Sequence, residues 1–397
     1  MRTVIAEAER TLPEIVALRR SIHEEPELGL QTPKTVAKVR QALAGLPLDY
    51  RDGSTTTGVV AVLKGAGDGP TVLLRGDMDA LPMTEATGLP FASKIAGAMH
   101  ACGHDAHTAM LAGAAKMLCN RREQLNGTVL FMFQPGEEGH HGARFMLEDG
   151  LLDPLPDAAF ALHVMPNAAY GVVGGRPGPI LASSHKLRIT VKGRGGHASM
   201  PHNALDPIPI ACEIVTAIQA LVTRRAPIFD PVVITIGHIS AGTTDNVIPG
   251  EAVMLGTLRC LSTERSNDMQ EKLVQLSQGI ATAHGASATV EIETGFPVTV
   301  NDTRAVEFGE AVVKDVLGEA AWLSMQSPIM GAEDFSYVLE KVPGAFFFLG
   351  AASDGDDWEN CCPLHSPQMV IDEGVMARGM AVHVALAERF LKDGFQP

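Results

Sequence analysis

The sequence predicts an α/β protein in two domains: a larger α/β/α domain with a mixed sheet, interrupted by an inserted ferredoxin-like α+β domain. Three observations predict it. Short β-branched runs alternate with helical stretches over residues 58–163, the pattern of strands covered on both faces. The period changes near residue 182, and residues 186–293 follow a βαββαβ order. A chain of 397 residues, 46% hydrophobic and 19% charged, is long and apolar enough for two cores. The expected boundaries are 1–181 with 295–397 for the larger domain and 182–294 for the insert.

Each element has its own signal. Ile15, Leu18 and Ile22 recur at helical spacing within residues 6–24. Thr32-Pro33 opens a second helix to Leu43, with Pro33 suited to a first helical position. Strands follow at 58–64 and 70–75, then a small-residue helix at 105–119, a strand at 128–133, a helix at 143–149 ending at Gly150, and a strand at 158–163. In the insert, Leu187, Ile189 and Val191 alternate as in a half-buried strand. A helix at 204–223, strands at 232–238 and 247–259, a helix at 264–284 and a strand at 288–293 complete it. Beyond Gly295 the alternation resumes and supplies Glu333 and His365.

Composition excludes several roles. A formal charge of −15 without basic stripes argues against nucleic acid. No uninterrupted run approaches the ~18 apolar residues of a membrane span, and the first residues lack the apolar core of a signal peptide. Six cysteines without a spacing framework fit a reducing, cytoplasmic setting.

The chemistry concentrates in a few phrases. Residues 99–108 place Cys102 and the imidazoles of His100, His104 and His107 together just before a helix. Cys102 and His104, joined by the distant Glu138, His163 and His365, have the makings of a catalytic metal site, because thiolate, imidazole and carboxylate hold divalent transition metals. His100 and His107 read as packing or supporting groups, and His140 and His141 as solvated residues of a Gly-flanked turn. Asp105 is placed to cap the helix while orienting an imidazole. Glu137 and Glu138 lie in a turn that Pro135-Gly136 and Gly139 permit, so one carboxylate can bind metal while its neighbour moves protons. Asp77 and Asp79 follow an apolar strand and either orient ligands or are loop acids. In the insert, His197 in a Gly-rich loop, Asn246 before a strand and Arg259 at a strand end offer two donors for an oxyanion and a cation for a carboxylate.

These phrases resemble the M20 metallopeptidase family over nearly the whole chain. The residues that carry the likeness are Gly76 to Pro82, Met99 to His107, Phe133 to Glu138, Gly195 to Ala198, Asp245 to Pro249, Gly331 to Phe335 and Leu364 to Pro367. The branch they are most similar to is the N-acyl-amino-acid amidohydrolases, which includes hippurate hydrolase. The resemblance implies a catalytic domain holding two divalent metal ions per subunit and an inserted lid that usually dimerises. It implies Cys102, His104, Glu138, His163 and His365 as ligands and Glu137 as general base, taking a proton from the attacking water and returning it to the departing amine. His197, reaching the partner subunit's site, and Asn246 would stabilise the oxyanion. Asp79 is counted with Glu137, His197 and Asn246 as a catalytic residue, and by the resemblance Arg259 would hold the substrate carboxylate. Manganese, zinc, cobalt and nickel all suit mixed Cys/His/Glu ligation. The substrate expected is a small N-acyl amino acid, and the assembly a homodimer or higher homo-oligomer. A dipeptidase of the same fold and a catalytically silent binding protein are the alternatives; the complete ligand set and Glu137 speak against the second. The family often has glycines where this chain has His140 and His141.

Overall fold

The computed structural model describes residues 2–353, 355 and 357–396. In chain order the elements begin with α1 (Arg2–Glu24), α2 (Pro33–Ala42), β1 (Asp49–Asp52), β2 (Val59–Lys64), β3 (Gly67–Asp77), α3 (His104–Cys119), β4 (Asn126–Gln134), α4 (Gly142–Glu148), β5 (Ala158–Met165), β6 (Val173–Gly175) and β7 (Gly178–Leu181). Next come β8 (His185–Lys192), β9 (Gly196–His197), α5 (Pro207–Arg225), β10 (Val232–Ala241), β11 (Val247–Ile248), β12 (Glu251–Cys260), α6 (Thr263–Ala283) and β13 (Ser287–Thr294). The chain closes with β14 (Thr299–Asn301), α7 (Thr303–Leu317), β15 (Trp322–Ser324), α8 (Ser336–Leu339), β16 (Gly344–Gly350) and α9 (Val375–Asp393). They form two compact units: Met1–Ile180, Val300–Ser327 and Asp334–Pro397 in one, and Leu181–Thr299 with Pro328–Glu333 in the other.

The larger unit is built on an eight-stranded mixed sheet in the order β1-β2-β4-β3-β5-β16-β6-β15. Strands β4, β3, β5 and β16 run parallel side by side, so their carboxyl ends share one edge of the sheet. Strands β2 and β16 are buried almost throughout, as expected when both faces are covered. Helices α1, α3, α7 and α9 contribute to one continuous core with the sheet. Helix α3 is small-residue and buried nearly all round. A Cβ on its Gly113 would lie 2.1 Å from the Met380 sulfur of α9, so the glycine is what lets the two helices touch. Phe160 stacks on Phe308 and Phe347, with ring centroids 5.8 and 6.4 Å apart, locking α7 to the sheet.

The smaller unit has an antiparallel sheet ordered β10-β12-β8-β13, the ferredoxin-like arrangement, with Ile210, Ile214, Ile218, Met269 and Leu273 of α5 and α6 in its core. The strand expected at 247–259 breaks at Pro249-Gly250 into β11 and β12, and β11 pairs instead with β9. Residues 328–333, expected with the larger domain, side with this unit: Ala182 N donates to Gly331 O at 2.8 Å. Helix α5 is long and apolar enough to cross a membrane by length and composition, although Glu213 and Gln219 interrupt its apolar sequence. Its stripe of isoleucines is spent on the core of this unit.

Candidate metal centre

The chemical residues of the larger unit gather at the carboxyl ends of its parallel strands. Asp77 ends β3, the 137–138 pair follows β4, and His163 lies near the end of β5. Cys102 and His104 arrive at the start of α3. Gly103 between them takes φ +83°, where a Cβ would strike Val164 at 2.4 Å. His365 enters through a left-handed turn (φ +65°) fixed by its own N–H donating to Ala101 O at 2.8 Å.

Two sets of donors emerge, each with all atoms within 4.8 Å of one another: Cys102 with His104 and His163, and Cys102 with Glu138 and His365. The Cys102 sulfur belongs to both. The imidazoles are aimed by their other nitrogens. His104 Nδ1–H donates to Asp79 O at 2.8 Å, and His163 Nδ1–H to Val164 O at 2.8 Å. With each Nδ1 committed to a carbonyl, Nε2 is the ring atom turned to the cluster, and that of His163 is 3.4 Å from the Cys102 sulfur. His104 Nε2 is buried and makes no hydrogen bond, while Glu138 Oε1 faces His365 Nε2 at 3.2 Å. A buried polar atom without a partner is costly, and this one faces a site lined by thiol, imidazole and carboxylate.

The electrostatics point the same way. Burial pushes the Cys102 thiol up. Hydrogen bonds to Cys102 and Glu138 push His365 up to about 10. Burial disfavours a charged His104, but Asp77 and Cys102 beside it outweigh that and hold it well above the ordinary imidazole range. The protein alone collects protons on this cluster, and dications would replace them. Donor chemistry, ring orientation and the orphaned His104 nitrogen all fit two divalent metal ions.

A third close group, Asp77 with His104 and His107, is already committed. His107 Nδ1–H donates to Asp77 at 2.6 Å and its Nε2 accepts from Val164 N at 2.8 Å, leaving no lone pair. Asp77 also pairs with the buried Arg75, which in turn reaches Asp334 and Gln134. Asp79 accepts from Glu137 N and Glu138 N, both at 3.0 Å, so its carboxylate shapes the loop that presents both glutamates. Glu137 is 6% exposed; its carboxylate lies within 4.8 Å of His104 and Glu138 donors and belongs to neither Cys102 set.

Several expectations need correcting. Asp105 does not cap α3, whose N-cap is Gly103. It pairs with Arg19 at 2.6 Å and His23 at 2.8 Å, so the imidazole it orients belongs to α1. His141 is not a solvated turn residue but half-buried, sharing a hydrogen bond with the Tyr337 hydroxyl at 2.9 Å. His140 is exposed as expected. His100 is buried with both ring nitrogens unpartnered. Arg19, His23, Arg75 and Tyr337 went unnoticed in the sequence, where nothing marks them.

Within the smaller unit, the β9–β11 ribbon pairs His197 with Val247 and so sets His197 next to Asn246. His197 Nδ1 accepts from Ser199 N at 3.1 Å, which places the ring proton on Nε2. Arg259 is half-buried on the sheet face opposite Leu258 and Cys260. Burial lowers its pKa, and it has no ion-pair partner among the described residues.

Residues 73–389 match the family described as Peptidase family M20/M25/M40. This chain belongs to that family. Among its relatives, the N-acetylcysteine deacetylase of Bacillus subtilis is 40% identical over 90% of this chain and 92% of its own length. The IAA-amino acid hydrolase ILR1-like 4 of Arabidopsis thaliana is 39% identical over 96% of this chain and 86% of its own. A crystal structure of the Bacillus subtilis YXEP protein, described as a dinuclear metal binding peptidase from the M20 family, superposes with a TM-score of 0.83. It is 35% identical and covers 96% of this chain and 99% of its own. The M20 member described here is a metal-dependent hydrolase acting on amide bonds.

Proposed function

We propose that this M20 enzyme hydrolyses the amide bond of small N-acyl amino acids, hippurate-like compounds among them, releasing a carboxylic acid and a free amino acid. The observation that carries the reading is a carboxylate, Glu137, held among two donor sets that share Cys102 and leave it out. Cys102, His104 and His163 would hold one metal, and Cys102, Glu138 and His365 the other. Bound manganese, zinc, cobalt or nickel would polarise the scissile carbonyl and acidify the attacking water. Glu137 accepts the proton of that water and delivers it to the departing amine. Asp79 holds the backbone of the glutamate pair in place. His197, with its proton on Nε2, and Asn246 donate to the developing oxyanion. Arg259 binds the carboxylate of the substrate.

Residues 1–181 and 295–397, apart from the 328–333 segment, are assigned to the catalytic domain, and 182–294 to a lid that also forms a homodimer or higher homo-oligomer. Strand β10 supports the assembly: it is an edge strand, and Ile228 and Phe229 just before it are 83% and 94% exposed. Six cysteines without a spacing framework support a cytoplasmic location. A relative from Saccharolobus solfataricus named thermostable carboxypeptidase 1, 38% identical over 95% of each chain, favours peptides as a second substrate class.

The test is a panel of N-acyl amino acids and free dipeptides, run with each metal restored to chelated enzyme. N-acyl substrates are expected to dominate; preference for dipeptides with a free amine overturns the substrate assignment. Glu137→Gln is expected to keep its metals and lose ~10²–10⁴-fold in kcat. Near-normal turnover removes Glu137 from the reaction.

A further inference from the structure

The geometry points to His141 and Tyr337 as a positioning pair that holds Glu137 in its reactive place by fastening the loop between β4 and α4. This rests on the reading of Glu137 as the general base.

The loop from Gln134 to Ala143 carries both glutamates and is held at several points. Asp79 takes the N–H groups of Glu137 and Glu138. Asp334 takes Gln134 Nε2 at 2.7 Å and Ala143 N at 2.9 Å, one at each end of the loop. The loop closes on itself where Gly142 N donates to Gly136 O at 3.1 Å. Three residues in it have left-handed backbones: Gly136 (φ +74°), Gly139 (φ +82°) and His141 (φ +59°). Glycine accepts that conformation freely, whereas histidine is strained there. A strained residue persists where its side chain returns something.

What it returns is the bond to Tyr337. His141 Nδ1 lies 2.9 Å from the tyrosine hydroxyl, and the rings are 5.9 Å apart. Tyr337 N donates to Asp334 O at 3.0 Å, so Asp334 and Tyr337 belong to one turn at the start of α8. That single turn grips the loop at residues 134, 141 and 143. The His141 grip lies between the glutamates and α4, beside the hold of Asp334 on Ala143 N. Loosening it leaves the metal donors bonded as before and widens the range of positions open to the Glu137 carboxylate.

The experiment compares His141→Gly, His141→Asn, Tyr337→Phe and Glu137→Gln in metal-loaded enzyme, with N-benzoylglycine and N-acetyl-L-cysteine as substrates. Glycine removes the ring and the backbone strain together. Asparagine tolerates the left-handed backbone and carries a polar atom one bond beyond Cγ, where His Nδ1 stands. The expected result is a drop in kcat of about 3- to 10-fold for His141→Gly and Tyr337→Phe, the size of one lost hydrogen bond. KM and metal content stay constant, and the Tm of His141→Gly does not fall. His141→Asn recovers most of the rate. In metal-free protein, amide hydrogen exchange across 136–143 quickens in the two slow variants. Unchanged kcat in both single variants, alongside an inactive Glu137→Gln, overturns the positioning pair and leaves the base in place. A rise in KM at constant kcat overturns it by making the ring a substrate contact. A Tm that falls in step with kcat reduces the pair to a structural one. An active Glu137→Gln overturns both readings.

Discussion

Cys102 contributes to both donor sets, and its behaviour should reveal this directly. Its sulfur is buried, and the proton it carries in the protein alone is one that a dication displaces. Alkylation of Cys102 should be blocked in metal-loaded protein and appear after chelation, while the exposed Cys212 reacts in both states and serves as the internal standard. Equal labelling of Cys102 in the two states would exclude it from the metal set. The residues visible from sequence share a property with Cys102: their chemistry is peculiar to metal sites, and they cluster or follow apolar strands. Those that were invisible take their meaning from distant partners. Arg19 and Asp105 are 86 positions apart in a chain where neither stands out, and Arg75 reads as the end of a strand until Asp77, Gln134 and Asp334 close around it. Glycine neighbours make His141 read as a solvated turn residue, and the bond to the distant Tyr337 shows otherwise.

At the scale of elements, α9 carries a buried histidine under strain of a different kind. His383 is 1% exposed, its Nδ1 has no partner, and burial lowers its pKa to about 3. Unfolded, the same side chain titrates near the ordinary value of about 6.5. Below that pH the unfolded chain takes up a proton that the folded chain refuses, so stability falls from pH 6.5 towards 3 and is complete above. His383→Met should flatten this acid limb in urea unfolding curves recorded from pH 7 to 4. A limb of unchanged slope would mean that other groups set it. The helices and buried strands were readable because their periods are plain. The pairing was not: β1 is a four-residue strand with mixed burial, and β6, β15 and β16 carry no signal of which neighbour they choose. Pairing between distant segments is decided by what the other strands leave open, and a local pattern does not contain it.

For the whole molecule, the proposed division of labour places the base and the metal donors in one unit and the oxyanion donor His197 in the other. If that donor serves the site of a partner subunit, His197→Ala and Glu137→Gln enzymes, each inactive, should regain activity when mixed. A hybrid dimer contains one site with both residues intact. Exchange must first be shown with tagged subunits; exchange without recovered turnover would confine His197 to its own chain. The two-unit plan itself was legible, because alternation of period 2 and the βαββαβ order are both local. The exit and return of the chain were less so: residues 328–333 side with the smaller unit through backbone bonds that no side-chain pattern marks.

The sheet order holds a further consequence, for the chain as it leaves the ribosome. Strand β16 lies between β5 and β6, although more than 160 residues separate it from either in synthesis order. Until residues 344–350 emerge, β5 presents a bare, apolar edge in the middle of what will become the core, and His365 is not yet available. An open edge of this kind invites pairing with other chains. A chain stopped after Pro343 should therefore aggregate and bind no metal, whatever its first 340 residues have already formed. A soluble, monomeric product would show that the edge is shielded during synthesis. Metal acquisition is on this view one of the last events in the birth of the enzyme, and the nascent protein has most need of chaperones shortly before it is finished.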